Sequence, residues 1–379
     1  MKKKLLWGPL ILIALGLIIF GGYLVQRKLK TNQANVTAVK KTKTKTSVFN
    51  HVNQPIDHLN SIQRKTVAKL LTDTHFSGTC LLVRNGKITF LKAFGQANLK
   101  TDQPNQITTG YPINSVQKSL TGYLIMRLVL QHKLNLNQKV GAFYPKIPGG
   151  KTITLREMLN MCSSYRLLKP LKHPANDQQV INYDLAHLSY TPAKIGKYDY
   201  QEINYVLLAG IAEKLTKTSY QQLINKDLVQ PLNLDQTGFL SVKRDRQLPV
   251  GYTISNNSQS IAQKIQPAVI SNELGASNMY MSALDVYRVQ AALRNGQLLP
   301  EKDDLYLYLQ TPHDPYTAGM YPTPQYDRLH GIGFGFESSV AISNNGKNAV
   351  VLLSNHWNSH AMIQNTLLSQ LYQQITNNF

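Results

Sequence analysis

The segment YPINSVQKSLTGYLIMRLVL, residues 111–130, combines a serine, a lysine three residues later and a strongly apolar helical pattern. Its apolar residues from 120 to 129 have helical spacing, and Asn114 is a good helix cap just before them. Ser115 and Lys118 are therefore predicted to share one face of the first helical turn. An unprotonated lysine in that position can take the proton of the serine hydroxyl. The partial positive charge of the helix N-terminus favours the neutral amine and a nearby oxyanion.

Strand-forming segments lie on both sides of this helix along the chain. Gly78–Phe94 contains two apolar runs around Asn85-Gly86, which is typical of a hairpin with a type I′ turn, and Glu337–Ile342 and Ala349–Ser354 are further predicted strands. Helical patterns are found at Leu155–Met161, Asn204–Leu215, Ser219–Lys226, Ala283–Arg294 and Ile363–Ile375. This order predicts an α+β fold with one mostly antiparallel sheet, built from both ends of the chain, and an inserted helical lobe.

The folded part is predicted to follow a membrane anchor. Residues 5–25 contain no charged side chain and follow three lysines, which is typical of an uncleaved transmembrane signal anchor. Basic residues flank both ends of this segment, so charge alone does not decide its orientation. We expect a cytoplasmic stub at residues 1–4, a basic flexible linker at 26–54 and one folded domain at 55–379.

The net charge of +21 is unevenly distributed. Residues 1–50 hold 10 of the 41 Lys and Arg residues and none of the 20 Asp and Glu residues, which leaves 31 basic against 20 acidic side chains, or +11. This balance favours an anionic partner such as nucleic acid, anionic lipid or an anionic wall polymer. Because no zinc finger, RNA-recognition motif or basic region running into heptads is present, we do not expect nucleic acid.

Cys80 and Cys162 are the two cysteines of the chain. They are too few for a disulfide scaffold and are not spaced as metal ligands, so we expect two buried free thiols, with a disulfide as the alternative. No base has a suitable spacing from Cys162 to make it a nucleophile. No metal or organic cofactor is expected.

Several stretches resemble the serine β-lactamase-like superfamily, which includes class C β-lactamases, low-molecular-mass penicillin-binding proteins and teichoic acid D-alanyl esterases. The resemblance covers nearly all of residues 60–375 and implies a β-lactamase/transpeptidase-like fold. It also implies that Ser115 is the nucleophile and that Lys118 is the base that activates it. The matching stretches are Phe76-Ser77-Gly78-Thr79, residues 94–99, 111–119, 153–159, 204–213 and 350–355.

The second motif of that superfamily, Tyr-x-Asn, aligns with Tyr200-Gln201-Glu202. By resemblance, Tyr200 shares protons with Lys118 and delivers one to the leaving group. A core tyrosine is the alternative interpretation, and the nearby Tyr198 is easily confused with it. Glu202 replaces an asparagine that hydrogen-bonds the substrate amide in relatives, and a carboxylate can only accept.

The third motif, Lys-Thr-Gly or His-x-Gly, best matches residues 330–336, HGIGFGF. His330 is expected to contact the substrate, with a histidine at a strand end as the alternative. The backbone N–H that completes the oxyanion hole with that of Ser115 is expected to belong to Gly333 or a neighbour. The cation that faces a substrate carboxylate in relatives is absent.

These changes favour a substrate without a terminal carboxylate. A D-alanyl ester on teichoic acid carries an ammonium group that suits Glu202, and its polymer is anionic. We therefore expect a D-alanyl esterase of the cell envelope, anchored in the membrane of a Gram-positive cell with its catalytic domain outside. The alternatives are a DD-carboxypeptidase or endopeptidase acting on peptidoglycan stem peptides, a β-lactamase, and a catalytically degraded relative that binds wall polymer.

Overall fold

A computed structural model of the protein shows one compact unit, Asn53–Phe379, for which the bounds of helices and strands are given below. Among the described residues, no helix is both long and apolar enough to cross a membrane. The predicted stub, the predicted anchor at 5–25 and the predicted linker up to residue 51 lie outside the described residues. The described residues are 52–241, 248–255, 259–308, 315–358, 362–363 and 366–376.

A seven-stranded antiparallel sheet lies at the centre of the fold. Its strands, in spatial order, are β1 (Ile56–Asp57), β3 (Lys87–Phe94), β2 (Gly78–Arg84), β16 (Ala349–Ser354), β15 (Phe336–Ile342), β14 (Asp327–Gly333) and β13 (Tyr321–Pro322). Strand β2 pairs directly with β16, so the two ends of the unit meet in the middle of the sheet. This topology confirms the prediction of one antiparallel sheet built from both ends of the chain.

Four smaller sheets accompany it within the described residues, and the sequence did not indicate them. Each has two or three short strands. Their strands are β4 (Gln96–Asn98), β5 (Gln103–Pro104), β6 (Tyr111–Pro112), β7 (Tyr165–Leu167), β8 (Leu188–Tyr190), β9 (Gly238–Phe239), β10 (Tyr252–Ile254), β11 (Ser260–Ala262), β12 (Met279–Met281) and β17 (His356–Trp357).

Most of the helices occupy the middle of the chain, as predicted. They are α1 (Ser61–Asp73), α2 (Lys118–Leu130), α3 (Leu155–Leu159), α4 (Asp177–His187), α5 (Ile203–Thr216), α6 (Tyr220–Ile224), α7 (Gln230–Leu232), α8 (Pro267–Asn272), α9 (Ala283–Arg294), α10 (Glu301–Leu307) and α11 (Leu367–Thr376). Short 3-10 turns lie at Asn114–Gln117, Val140–Ala142 and Pro192–Lys194, and a π-helical turn lies at Asn225–Val229.

Both faces of the large sheet are covered, which explains the continuous apolar runs of its central strands. Leu71 of α1 and Leu371 of α11 pack in one cluster with Leu82 and Leu352 of the sheet. Helix α9 contacts β2 and β16 and contributes no residue to that cluster, so it covers the opposite face. The first and last helices of the unit therefore shield one side of the sheet, and a helix preceding the C-terminal strands shields the other.

Most predicted elements are confirmed, with shifts at their ends. Helix α9 and strand β16 have the predicted bounds, and the Asn85-Gly86 turn has the two positive φ angles that a type I′ hairpin requires. The helix predicted at Ser219–Lys226 ends at Ile224 because the following residues form the π-helical turn. Cys80 and Cys162 are buried and form no disulfide bond with each other, as predicted.

Gly78 is a position in β2 where a larger residue cannot fit. Its φ is 149°, and a Cβ there would lie 1.9 Å from the carbonyl oxygen of Leu353 in the paired strand β16. We predict that Gly78→Ala lowers the free energy of unfolding by about 3 kcal/mol or more, because it adds backbone strain to a clash. Denaturant unfolding measures this change.

Gly86→Ala is the matched control, because Gly86 also has a positive φ but a Cβ there would meet no atom within 4 Å. This variant should lose only about 1 kcal/mol, from the left-handed backbone alone. Equal losses in the two variants would contradict the close packing of β2 on β16.

Candidate active site

The turn that carries Ser115 is anchored on a neighbouring strand. Strand β6 pairs with β12, and the backbone N–H of Ile113 donates to the carbonyl oxygen of Met279 at 3.0 Å. Ser115 then lies in the 3-10 turn Asn114–Gln117, and α2 begins at Lys118. The nucleophile candidate is therefore held at the junction between a strand and a helix.

Asn114 is not the helix cap that the sequence predicts. Its backbone is left-handed, with a φ of 49°, a conformation that asparagine tolerates better than most residues. Its side-chain amide donates to the carbonyl oxygens of Pro112 and Gly333, at 3.4 and 3.5 Å, and makes no capping hydrogen bond. The side chain of Asn114 therefore links the nucleophile turn to β14.

The predicted pair of Ser115 and Lys118 is present. The ammonium nitrogen of Lys118 donates to Ser115 Oγ at 2.9 Å and lies 3.4 Å from the carbonyl oxygen of Ala276. The Lys118 side chain has no solvent-exposed surface. A buried cation is costly unless acceptors surround it, so its neighbours determine how the site works.

Tyr200, and not Tyr198, lies against this lysine. The ring centroid of Tyr200 is 5.1 Å from Lys118 Nζ, and Tyr200 helps to raise the pKa of this lysine against the lowering effect of burial. The hydroxyl of Tyr198 lies instead 3.2 Å from that of Tyr321. The preceding residue, Asp199, is held by a backbone hydrogen bond to Met161 at 2.8 Å, which fixes the strand-like segment before α5.

Glu202 also lies at Lys118, where the sequence predicted it. Its Oε1 is 3.9 Å from Lys118 Nζ, and 45% of its side chain is exposed, so a ligand can reach it from solvent. Burial alone would lower the pKa of Lys118, but Tyr200, Glu202 and Glu273 together raise it above its ordinary value. The expectation that the helix terminus keeps this amine neutral is therefore wrong for the free protein.

The strand facing Ser115 is β14, but its contact residue is Gly331 and not Gly333. A Cβ atom added to Gly331 would lie 2.7 Å from the backbone nitrogen of Ser115. A Cβ atom added to Gly333 would meet the side chain of Asn114 instead. Beyond Arg328, β14 pairs on one side only within the described residues, which leaves an edge available to a ligand. The strand N–H that would complete an oxyanion hole therefore belongs near Gly331.

His330 precedes that glycine, and its side chain is engaged. Its Nε2 lies 3.1 Å from Oε1 of Glu337, a buried carboxylate on the adjacent strand β15. Leu329, fully buried, occupies the position before His330, where the aligned motif of relatives begins with lysine. The third motif thus carries a carboxylate close to the histidine and an apolar residue in place of the cation.

Sequence reasoning missed Glu273, which follows α8. It interacts electrostatically with both Lys118 and Glu202. No motif contains this residue, and its distance along the chain from Lys118 gives no signal of proximity. Ser115, Tyr200 and Glu202 lie around Lys118, and His330 and Gly333 lie on the strand that faces the Ser115 turn. Their chemical roles stay predictions.

In this site a serine is hydrogen-bonded to a buried lysine, a tyrosine lies against that lysine, and the edge of an antiparallel sheet lies opposite. This arrangement is typical of one class of serine hydrolases. The family model described as Beta-lactamase matches residues 64–373, and the chain belongs to this family of hydrolases. The fold is therefore of the β-lactamase/transpeptidase type, as the sequence resemblance implied.

Two similar proteins carry different names. The chain is 29% identical over 322 residues to a protein of Bacillus subtilis named as penicillin-binding protein PbpX, covering 84% of this chain and 81% of that protein. It is 28% identical over 296 residues to the teichoic acid D-alanine hydrolase of Staphylococcus aureus, covering 77% and 73%. The crystal structure of FmtA from Staphylococcus aureus superposes with a TM-score of 0.75 and 25% identity, covering 85% and 88%.

The contact between Gly331 and Ser115 can be tested by comparing two alanine variants. We predict that Gly331→Ala slows covalent labelling of Ser115 by a fluorophosphonate about a hundredfold, because the new Cβ displaces the nucleophile turn. Gly333→Ala should slow it only slightly, since the Asn114 side chain can move aside. The reverse order of effects would show that Gly333 holds the contact position.

Proposed function

We propose that this protein is a membrane-anchored serine hydrolase that acts outside the cell through a D-alanyl acyl-enzyme, and that it removes D-alanine from teichoic or lipoteichoic acid. The observation that carries the proposal is the position of Glu202. Its carboxylate lies 3.9 Å from Lys118 and is half exposed, where relatives are expected to have an asparagine. The Staphylococcus aureus relative is named teichoic acid D-alanine hydrolase, which is consistent with this substrate.

The charges around the cleft match a cationic acyl group better than an anionic one. A D-alanyl ester carries a free ammonium, which Glu202 can accept as a hydrogen-bonded ion pair. A stem peptide or a β-lactam presents a carboxylate instead. Leu329 offers no charge to it, and the carboxylate of Glu337, 3.1 Å from His330, opposes it.

The proposed reaction forms and breaks one ester on Ser115. Its Oγ attacks the carbonyl carbon of the D-alanyl ester while Lys118 takes the hydroxyl proton. Backbone N–H groups of Ser115 and of β14 near Gly331 stabilise the oxyanion, and the polymer hydroxyl leaves with a proton returned through Tyr200 and Lys118. Water activated by the same pair then hydrolyses the acyl-enzyme, which releases D-alanine and restores the serine hydroxyl.

The N-terminal sequence fits a substrate at the cell surface. The uncharged segment at residues 5–25 would hold the hydrolase at the membrane, and the basic segment after it would lie near anionic lipid or polymer. An anionic polymer tethered in the same envelope would meet a domain whose own charge balance is positive. No cofactor is needed for any step.

A DD-carboxypeptidase or endopeptidase is the second candidate function, and Arg328 favours it. Its guanidinium lies 4.5 Å from the Tyr321 ring, two residues before His330 on the same strand, and supplies a cation that a peptide carboxylate could use. The Bacillus subtilis relative is named as a penicillin-binding protein, which agrees with this candidate function. The remaining candidate is a catalytically degraded relative that only binds wall polymer. Such a protein would keep the binding site but would not hydrolyse a substrate.

The function is tested with the full chain in detergent and D-alanylated lipoteichoic acid. We predict release of free D-alanine by the unaltered protein and none by Ser115→Ala, because the nucleophile is lost while the fold is not. An enzyme-coupled D-alanine assay measures the release, and the melting temperature of the variant is the control for folding.

A D-alanyl-D-alanine peptide in the same assay separates the candidates. Serine-dependent release from the peptide and none from the polymer would replace the esterase with a DD-peptidase. Release from neither, together with Ser115 that no fluorophosphonate labels, would leave the wall-binding relative.

Glu202 variants test the choice of acyl group. We predict that Glu202→Gln raises KM for the D-alanyl polymer about fivefold, since an exposed ion pair contributes up to about 1 kcal/mol. Glu202→Asp, which keeps the charge, should have a smaller effect on KM. An unchanged KM in Glu202→Gln would mean that the substrate ammonium binds elsewhere.

A further inference from the structure

A groove on the helical lobe lies apart from the candidate active site. One part of it, about 660 Å³ in volume, lies between the chain after the 3-10 turn Val140–Ala142 and the helices α4 and α5. A second part, about 710 Å³ in volume, adjoins the first and shares Pro145 and Ile147 with it. We call the two parts together the lobe groove, which is lined by residues 139–152, by α4 and by the C-terminal end of α5. Neither Ser115 nor Lys118 lines it.

The apolar residues of the lobe groove are tightly packed. Ile147 is buried, and the Tyr144 hydroxyl donates to the carbonyl oxygen of Leu207 in α5 at 2.8 Å. A Cβ atom added to Gly210 would lie 2.6 Å from that hydroxyl and 2.6 Å from the Ile181 side chain. The lobe groove is therefore held in shape by the protein itself and needs no ligand to form.

The charged residues of the lobe groove are mostly basic. Five lysines line it: Lys139, Lys146, Lys151, Lys214 and Lys217. Among the described residues, none of the five lies within 4.0 Å of a carboxylate oxygen. The side chains of three of them, at positions 146, 151 and 217, are exposed and have no hydrogen-bond partner in the described part of the chain.

The other two lysines are held in place by the main chain. Lys139 Nζ donates to the carbonyl oxygen of Thr152 at 2.5 Å, and Lys214 Nζ donates to that of Phe143 at 2.6 Å. A backbone carbonyl fixes the position of an ammonium group without cancelling its charge. One cation is thereby fixed in each of the two parts of the lobe groove.

Glu213 is the one acidic residue among the described residues that line the lobe groove. Its Oε1 accepts from the backbone N–H of Tyr220 at 2.7 Å, so part of the carboxylate is already used within the protein. Burial raises the pKa of Glu213 to about 7, and at neutral pH it carries only part of a negative charge. The positive charge of the lobe groove is therefore left for a ligand.

The arrangement of these charges favours a linear polyanion over a compact one. The lysines are distributed over both parts of the lobe groove and do not converge on one point. A phosphodiester polymer carries one negative charge in each repeat, so successive phosphates can contact successive lysines. Its carbon backbone can then lie over the apolar residues between them. Clustered positive charge of this kind also attracts a polyanion before contact.

We propose that the lobe groove binds the phosphodiester chain of teichoic acid and holds the polymer while its D-alanyl esters are cleaved at Ser115. The choice of this polymer rests on the proposed function. Helix α5 connects the two places, because it begins directly after Glu202 and carries Lys214 in its last turn. These two residues lie about 18 Å apart along the helix axis. A polymer held in the lobe groove can therefore present esters several repeats away to the cleft, which raises their local concentration.

Binding is tested with the full chain in detergent, carrying Ser115→Ala. The probe is fluorescently labelled polyglycerol phosphate, prepared from lipoteichoic acid by removing its lipid and its D-alanine, and fluorescence anisotropy measures Kd at physiological ionic strength. We predict that Lys146→Gln, Lys151→Gln and Lys217→Gln together raise Kd about tenfold, since each exposed ion pair contributes a small share of the affinity. Arginine at the same three positions keeps the charge and should keep the affinity.

Lys65→Gln, Lys87→Gln and Lys347→Gln together are the matched control. The side chains of these three lysines are exposed, have no described partner and lie outside the lobe groove, so their replacement removes the same charge elsewhere. Their Kd should change less than twofold. The basic segment before residue 55 is identical in all of these proteins. Equal losses of affinity in the two triple variants would overturn the proposal, because net charge alone would then attract the polymer.

Two competitors identify the ligand. Glycerol phosphate at an equal phosphate concentration should not displace the labelled polymer, and displacement as complete as that by unlabelled polymer would reduce the lobe groove to a simple anion site. Phosphatidylglycerol in the detergent micelles should not displace the polymer either. Displacement by the lipid would assign the lobe groove to a membrane surface, and either of these two results would overturn the proposal.

Activity separates this proposal from the proposed function. With Ser115 present, the three glutamine substitutions in the lobe groove should raise KM for D-alanylated lipoteichoic acid about tenfold and leave kcat unchanged. Labelling of Ser115 by a fluorophosphonate should keep its rate, because the cleft is unaltered. Absence of D-alanine release, with polymer binding that depends on the lobe groove, would contradict only the esterase. Release with an unaltered Kd and KM in this triple variant would contradict only the lobe groove.

Discussion

A lysine ammonium without solvent contact constrains this whole site. Lys118 is fully buried. Burying a cation costs too much free energy unless hydrogen-bond acceptors and counter-charges surround it. The groups that do so come from distant parts of the chain: Ser115 from the same turn, Tyr200 and Glu202 from the segment before α5, and Glu273 with Ala276 from the turn after α8. The helical lobe is therefore packed against the sheet at the candidate active site.

The distribution of negative charge follows from the same constraint and points to the substrate class. Glu202 lies 3.9 Å from Lys118 and is 45% exposed, so its carboxylate is available to a ligand. On the facing strand, Leu329 and the pair of His330 and Glu337 provide no obvious site for an anionic substrate group. An acyl group that carries an ammonium, as in the D-alanyl ester that we propose, suits this arrangement.

The sequence predicted the fold and most residues of the candidate site because the signals were local. The central strands are buried on both faces and therefore appear as unbroken apolar runs, and Ser115 and Lys118 are three residues apart. The parts that it could not predict depend on three-dimensional contact. Glu273 belongs to no motif, and glycines at 331, 333 and 335 allow more than one alignment, so only the approach of Gly331 to Ser115 chooses between them.

The most direct test of this account is to trap the acyl-enzyme. The full chain would be mixed with D-alanylated lipoteichoic acid, quenched rapidly in acid and digested, and the peptide containing Ser115 would be examined by mass spectrometry. The account predicts an added alanyl group on Ser115, which would identify the nucleophile and the acyl group together. An unmodified Ser115 during active D-alanine release, or an alanyl group on another residue, would contradict it.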